Sequence, residues 1–322
     1  MTNGTQDIWG IVLAGGEGAR LKEFVRECLG SEAPKQFCAF LGQRTMLEHA
    51  VHRVAMLIPR TRVVVVATAH HRRYVEECLG PASPELVLFQ PDQRDTAPGI
   101  LLPLAHVLHQ NPQAIVAVLP SDHFVQPGWR FMQAIAEAAQ LFTLSASQRV
   151  VLLAVEPTDP EPEYGWLNPG ATLRGAGAGT IRDVTQFMEK PTRDQAGRLM
   201  QEGWLWNTMV VVARAESLFE LIMEATPHLA GYFSKVRLAI GTHWEQQVVE
   251  EVYQAMPPTN FSTAVLARYP ERLAVLPVQH VLWSDWGRGA RIVDTLTRLG
   301  VPVPSRTAAG SASGMRAATA AH

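Results

Sequence analysis

The tightest constraint on this chain lies near its start, where the apolar run Ile8 to Val12 breaks into Leu13-Ala14-Gly15-Gly16-Glu17-Gly18-Ala19-Arg20-Leu21. An apolar strand that ends in closely spaced glycines makes a loop whose backbone can approach a ligand, because glycine has no Cβ and tolerates positive φ. Backbone amides along Leu13, Ala14, Gly15, Gly16 and Gly18 are candidates to cradle phosphate, and Arg20 adds a guanidinium fork for the same oxygens. The spacing is not that of a P-loop, which needs Gly-x-x-x-x-Gly-Lys-Ser/Thr, and Leu21 stands where a dinucleotide fingerprint places its third glycine. Read alone, the stretch fits either a phosphate cradle or an ordinary glycine-rich turn.

The chain beyond it alternates strand and helix. Thr45 and Glu48 stand at capping-box spacing ahead of Met46, Leu47, Ala50, Val51, Val54 and Leu57, which recur at helical period. Val63 to Val66 is an unbroken β-branched run, the pattern of a strand covered on both faces. Tyr74 to Leu79 reads as helix, and Leu86 to Phe89, Ile115 to Leu119 and Arg149 to Val155 read as strands, with a helix over Met132 to Leu144. This alternation predicts an α/β fold, a Rossmann-like, doubly wound, mixed but mostly parallel sheet flanked by helices. Ligands of such sheets bind beyond the carboxyl ends of the strands, so the loops that follow strands hold the candidates.

Two of those loops carry chemistry. After Phe89 comes Gln90-Pro91-Asp92-Gln93-Arg94-Asp95-Thr96-Ala97-Pro98, which also reads as a helix start capped at Asp95 or Thr96 with Pro98 in the first turn. After Leu119 comes Pro120-Ser121-Asp122-His123. There the residues leave two roles open, a helix N-cap at Ser121 or Asp122 and a carboxylate for a hard cation.

Pro34-Lys35-Gln36-Phe37 follows the glycine loop by about a dozen residues. Together the two stretches resemble the signature of the sugar-1-phosphate nucleotidyltransferases, Leu-Ala-Gly-Gly-x-Gly-x-Arg-Leu followed by Pro-Lys-Gln, and within them Pro-Lys-Gln-Phe is most similar to the mannose-1-phosphate guanylyltransferases. The resemblance continues along most of the chain. Gln90 to Pro98 is similar to the family's Gln-Pro-x-x-Arg-Asn-Thr-Ala-Pro, which implies that Gln90, Arg94, Asp95 and Thr96 lie against base and ribose, with Asp95 replacing an amide by a carboxylate. Thr185 to Pro191 resembles Phe-x-Glu-Lys-Pro, implying that Glu189 takes sugar hydroxyls and Lys190 a phosphate. Tyr164-Gly165 resembles part of Gly-Tyr-Gly-Tyr-Ile, which implies that Tyr164 and Gly165 belong to the sugar-binding half, although Glu163 and Trp166 depart from it. Trp206 to Val211 resembles Trp-Asn-Ser-Gly-Met-Phe, whose Asn, here Asn207, contacts the sugar; its glycine is missing. Ser284-Asp285-Trp286-Gly287 is similar to the Trp-Ser-Asp-x-Gly that closes the family's site, with Arg288 and Gly289 following where a further Trp is usual.

The resemblance implies transfer of a nucleotidyl group from a nucleoside triphosphate, most closely GTP, to a sugar-1-phosphate, most closely mannose-1-phosphate. Arg20, Lys35 and Lys190 would neutralise phosphate charge, and Asp122 and Asp285 would hold Mg²⁺. Another triphosphate and sugar pair, such as one with glucose-1-phosphate, and a non-catalytic nucleotide-sugar-binding protein remain as alternatives.

Composition narrows the classes further. A formal net charge of -2 offers no basic field for nucleic acid. Cys28, Cys38 and Cys78 show no Cys-x-x-Cys pairing, and a reduced, cytoplasmic setting is the expectation. The first apolar run is too short for a signal peptide, and no run is long enough to span a membrane. A homo-oligomer is left open. The expected organisation is one catalytic domain over residues 1–300, with a nucleotide half to about residue 155 and a sugar half over 156–300, then a disordered tail over 301–322. Gly175 to Gly179 is expected to be a flexible hairpin tip. No hexapeptide repeat is present, so the isomerase module fused to some bacterial relatives is not expected here.

Overall fold

The computed structural model describes residues 8–80, 83–173 and 181–304; the glycine-rich tip at 175–179 and residues 305–322 of the expected 301–322 tail lie outside the described residues, while Val301 and Val303 pack against the core. Strand β1 (Ile8–Leu13) pairs in parallel with β2 (Val63–Thr68) on one side and β4 (Ile115–Pro120) on the other. β3 (Leu86–Gln90) extends the parallel set beyond β2. Every residue of β2 and β4 is buried. Continuous apolar runs of this kind are what a sheet covered on both faces requires.

Helices α1 (Lys22–Leu29), α2 (Met46–Val54), α3 (Arg72–Leu79) and α4 (Thr96–Gln110) lie between these strands. α2 opens with the expected capping box, Thr45 and Glu48 each satisfying the other's backbone N–H. α4 starts at Asp95, whose carboxylate accepts the Thr96 N–H. No helix starts at Ser121 or Asp122. The short strand β5 (Phe124–Gln126) follows instead, ahead of α5 (Gly128–Leu144), so the helix-cap alternative for those two residues falls.

The remaining elements are β6 (Val150–Val155), β7 (Gly165–Thr172), β8 (Arg182–Glu189), α6 (Arg193–Gln201), β9 (Leu205–Arg214), α7 (Ala215–Ala225), α8 (Pro227–Ala239), α9 (Glu245–Ala255), β10 (Leu273–Pro277), β11 (Leu282–Ser284) and α10 (Gly289–Arg298). The main sheet runs β3-β2-β1-β4-β9-β6-β10-β8-β7, and β7 pairs again with β9. That last pairing closes β9, β6, β10, β8 and β7 into a small barrel, with Trp206 opposite Val155 on one side and Trp166 on the other. The fold is thus the expected mixed α/β sheet. Its parallel character belongs to β3-β2-β1-β4 and to the β6–β10 pair, while β9, β7 and β8 join antiparallel.

Two apolar cores cover the sheet, one beneath α1, α2, α3, α5 and α10 and the other beneath α4, α7, α8 and α9. β9, from the second half of the chain, lies between β4 and β6, so side chains from both halves meet at one sheet end. Among the described residues no helix is long and apolar enough to cross a membrane.

Candidate active site

The glycine loop takes its shape from the turn that follows it in sequence. Gly18 sits at φ 61°, and a Cβ there would come 3.1 Å from Lys35 N and 3.3 Å from Pro34 Cα, so both conformation and space demand glycine. Gln36 Nε2 donates to Ala14 O at 3.2 Å and Gly16 O at 2.6 Å, bracing the loop from behind. The amides of the stretch are not equivalent. Ala14 N donates to Val66 O at 2.7 Å and Leu13 belongs to β1, so the cradle narrows to Gly15, Gly16 and Gly18. Arg20, with its side chain 65% exposed, reaches Glu163 Oε1 at 3.4 Å.

A cavity of about 260 Å³ opens beside this loop. Leu13, Gly15 and Gly16 form one wall, and Gln90, Asp95 and Thr96 from the end of β3 and the start of α4 form another. Asp122 and His123, beyond β4, and Met209 from β9 complete it. Gln90 is buried, its Oε1 accepting from Tyr253 OH at 3.2 Å. Asp95 holds φ 65° and ψ -170°, a region that costs a non-glycine residue about 1–3 kcal/mol. Its Oδ1 accepts from Thr96 N at 2.6 Å and Asn260 Nδ2 at 3.2 Å. Arg94 lies off the cavity wall: it donates to Tyr253 O at 2.7 Å and Gln254 O at 3.4 Å and pairs with Asp92, tying the loop to the end of α9.

The charged centre joins segments remote in sequence. Lys35 Nζ lies 3.1 Å from Asp122 Oδ2 and donates to the main-chain oxygens of Asp285 and Trp286, the latter at 3.1 Å. Asp285 Oδ1 accepts from Arg291 Nη1 at 2.6 Å, Gly287 N at 2.9 Å and Tyr164 OH at 3.0 Å. Burial pushes both carboxyls up, but cationic neighbours outweigh it and hold both below the usual carboxylate range. For Asp122 the leading cation is Lys35; for Asp285 it is Arg291. The hard oxygens of Asp122 and Asp285 suit a cation such as Mg²⁺, and beside them Ser121 Oγ is buried without a hydrogen-bond partner.

A second group gathers at the barrel end. A Cβ on Gly165 would lie 2.9 Å from Glu189 Oε2 and 3.4 Å from Asn207 Cβ, so these three expected residues do meet. Burial lifts the Glu189 carboxyl above its ordinary value, with Lys190, 3.4 Å away, opposing. Tyr164 is buried against Trp206 and Trp283, its hydroxyl turned to Asp285. Its observed place is therefore as support for that acid.

Sequence reading passed over several members of this site. Arg291 joins Asp285, Glu161 at 2.7 Å and Glu163 at 2.9 Å, and lies over the Tyr164 ring. It sits six residues past Asp285 on α10, and no spacing rule marks it. Gln36 lies within the Pro-Lys-Gln motif, and its hold on the glycine loop shows only in the fold. Met209 occupies the place of the family's glycine at φ 60°, in a bulge where β9 slips against Leu153 and Ala154. Its thioether receives Asn207 Nδ2 at 3.5 Å and Ser262 Oγ at 3.3 Å. Only the missing glycine hinted at it.

The nucleotidyl transferase family profile matches residues 9–289. The xanthan biosynthesis protein XanB of Xanthomonas campestris pv. campestris is 27% identical over 299 residues, covering 89% of this chain and 59% of that protein. The mannose-1-phosphate guanylyltransferase of Escherichia coli is 27% identical over 286 residues, covering 87% and 58%. The chain thus spans somewhat under three fifths of the length of these curated relatives. A crystal structure described as a mannose-1-phosphate geranyltransferase from Thermus thermophilus superposes with a TM-score of 0.73 at 29% identity, covering 88% of this chain and 77% of that one.

Proposed function

The chain belongs to the nucleotidyl transferase family, and on that premise we propose that it joins GTP to mannose-1-phosphate, forming GDP-mannose and pyrophosphate. The observation that carries the reading is the convergence of Lys35 on Asp122 and the Asp285 turn, between the glycine-walled cavity and the Gly165, Glu189 and Asn207 group. The guanine and mannose assignments rest on the Pro34 to Phe37 and Arg94 to Pro98 resemblance and on the activity for which the Escherichia coli relative is named.

In this reaction a phosphate oxygen of the sugar-1-phosphate attacks the α-phosphorus of the triphosphate. The new P–O bond forms as the bond to the β-phosphate oxygen breaks, and pyrophosphate leaves with that electron pair. The nucleophile is already an anion, so no general base is needed. The obstacle is about six negative charges brought together near neutral pH, and catalysis is mainly alignment and neutralisation. The Gly15, Gly16 and Gly18 stretch and Arg20 take the triphosphate, Lys35 faces charge developing near the α-phosphate, and Lys190 takes the sugar phosphate. Gln90, Asp95 and Thr96 line the base and ribose side. Glu189 and Asn207 orient sugar hydroxyls, with Gly165 leaving them room. Asp122 and Asp285 are the residues that would hold Mg²⁺, which when bound supplies Lewis-acid charge neutralisation.

A second pair of substrates is favoured by one observation, the Met209 side chain in place of the family's glycine. The deciding experiment measures pyrophosphate release with Mg²⁺, crossing GTP, ATP, UTP, CTP and dTTP against mannose-1-phosphate and glucose-1-phosphate. Release requiring both GTP and mannose-1-phosphate supports the reading. Another productive pair moves the specificity, and no release from any pair, with nucleotide-sugar still raising the melting temperature, leaves a binding protein.

A further inference from the structure

Glu17, His70 and His71 form a cluster of which no member lines the cavity described above. Glu17 stands between Gly16 and Gly18 on the glycine loop, and the histidines belong to the single turn Ala69–His71 that follows β2. Glu17 Oε1 is 2.9 Å from His70 Nε2, and Oε2 is 3.9 Å from His71 Nε2. One ligand atom from each residue lies within 4.8 Å of the other two. A tetrahedral ion with bonds of about 2.0–2.1 Å sets its ligand atoms about 3.3 Å apart. The Oε1–His70 and Oε2–His71 separations, made to different carboxylate oxygens, lie just below and just above that value.

The surroundings of His71 match those of a ligating imidazole. Thr68 Oγ1, fully buried, lies 2.8 Å from His71 Nδ1 and turns Nε2 toward Glu17. A partner on the far nitrogen is what fixes tautomer and ring orientation in metal-bound histidines. The ring is further held edge-on by Phe37, at 5.4 Å between centroids. His71 is 3% exposed, whereas His70 is 54% and Glu17 39%, so one donor is rigid and two are reachable from solvent. An ion pair between Glu17 and His70 accounts for one carboxylate oxygen only. It leaves unexplained the second imidazole aimed at the other oxygen and braced from behind.

We infer that Glu17, His70 and His71 form a binding site for a divalent transition-metal ion of the Zn²⁺ class, tying the glycine loop to the turn after β2. Two imidazole nitrogens and one carboxylate with an open fourth position are a zinc-type donor set. Mg²⁺ prefers an all-oxygen shell, which separates this site from the Asp122 and Asp285 carboxylates.

The test titrates the full chain, stripped by chelator, with Zn²⁺ against a chromophoric competitor in excess Mg²⁺, and repeats it for His70→Ala, Glu17→Gln and Thr68→Val. The expected result is one tightly bound equivalent, weakened at least tenfold by each ligand substitution and about 10–100-fold by loss of the Thr68 hydroxyl. Co²⁺ should give the strong visible absorption of a four- or five-coordinate ion and shift imidazole proton resonances in the unsubstituted chain, a readout that needs no variant to fold. Absence of a tight equivalent, equal affinity in all four proteins, or loss of binding in Asp122→Asn but not in His70→Ala would each overturn the inference.

Discussion

Lys35 Nζ stands 3.1 Å from Asp122 Oδ2 while donating to the main-chain oxygens of Asp285 and Trp286. One ammonium therefore holds together the loop after β4 and the turn after β11, which are more than 150 residues apart in the chain. Both acids proposed for the cation depend on it for position. Lys35 itself is 7% exposed.

Lys35→Met should lower stability by about 1–3 kcal/mol, because the substitution leaves the half-buried Asp122 carboxylate and two main-chain oxygens without their donor. Nucleotidyl transfer should fall by about 10²-fold or more, as loss of a preorganised charge partner does. Urea unfolding and pyrophosphate release on the same preparation check both; an unchanged midpoint would show that Lys35 does not organise the centre.

Arg20→Ala separates catalysis from folding. Its side chain is 65% exposed and touches Glu163 only at 3.4 Å. Stability should stay within about 0.5 kcal/mol, while transfer falls by about 10²-fold through loss of a charge clamp. A full rate in the variant would remove Arg20 from the reaction.

Tyr164→Phe keeps the ring packed against Trp206 and Trp283 and removes the hydroxyl that holds Asp285. The expected outcome is a lower kcat with little change in KM for the sugar phosphate. A raised KM at constant kcat would return Tyr164 to direct sugar contact.

Met209→Gly takes a side chain out of the cavity and relieves a left-handed conformation worth about 1–2 kcal/mol. Glycine's greater unfolded-state freedom offsets about 1 kcal/mol of this, so the melting temperature should move little. Discrimination between mannose-1-phosphate and glucose-1-phosphate, measured as a ratio of kcat/KM values, should shift toward mannose-1-phosphate. A preserved ratio would mean that Met209 plays no part in sugar choice.

Glu163 supplies one part of the pH dependence. Burial pushes its carboxyl up, but Arg288 at 2.8 Å, Arg291 at 2.9 Å and Arg20 hold it below the ordinary value. A depressed folded-state pKa gives stability that is present above the unfolded value, about 4.3, and is lost as pH falls through the folded one. Wild type should therefore exceed Glu163→Gln by up to about 1 kcal/mol at pH 7, and the gap should close in acid below the usual carboxylate range. Urea midpoints measured down the pH scale check the sign; a gap that widened in acid would contradict it.

Much of this protein was determined by its sequence alone. Local rules act over a few residues, so the Thr45 and Glu48 capping box, the β-branched run at Val63 to Val66 and the Asp95 cap appear where propensity and period place them. The glycine loop and the Lys35 motif likewise marked the cavity wall and its charged centre. Tertiary structure alone decided the rest. Closure of the barrel depends on Trp206 pairing with Val155 and Trp166 at once, a pairing that no local period encodes. Arg94 turned to α9 and Tyr164 to Asp285 because a part-buried carbonyl and a part-buried carboxylate find their donors there, and those partners lie far along the chain. Arg291 entered the site for the same reason: Glu161, Glu163 and Asp285 converge only after folding, and such a concentration of negative charge in a low dielectric requires a cation among them.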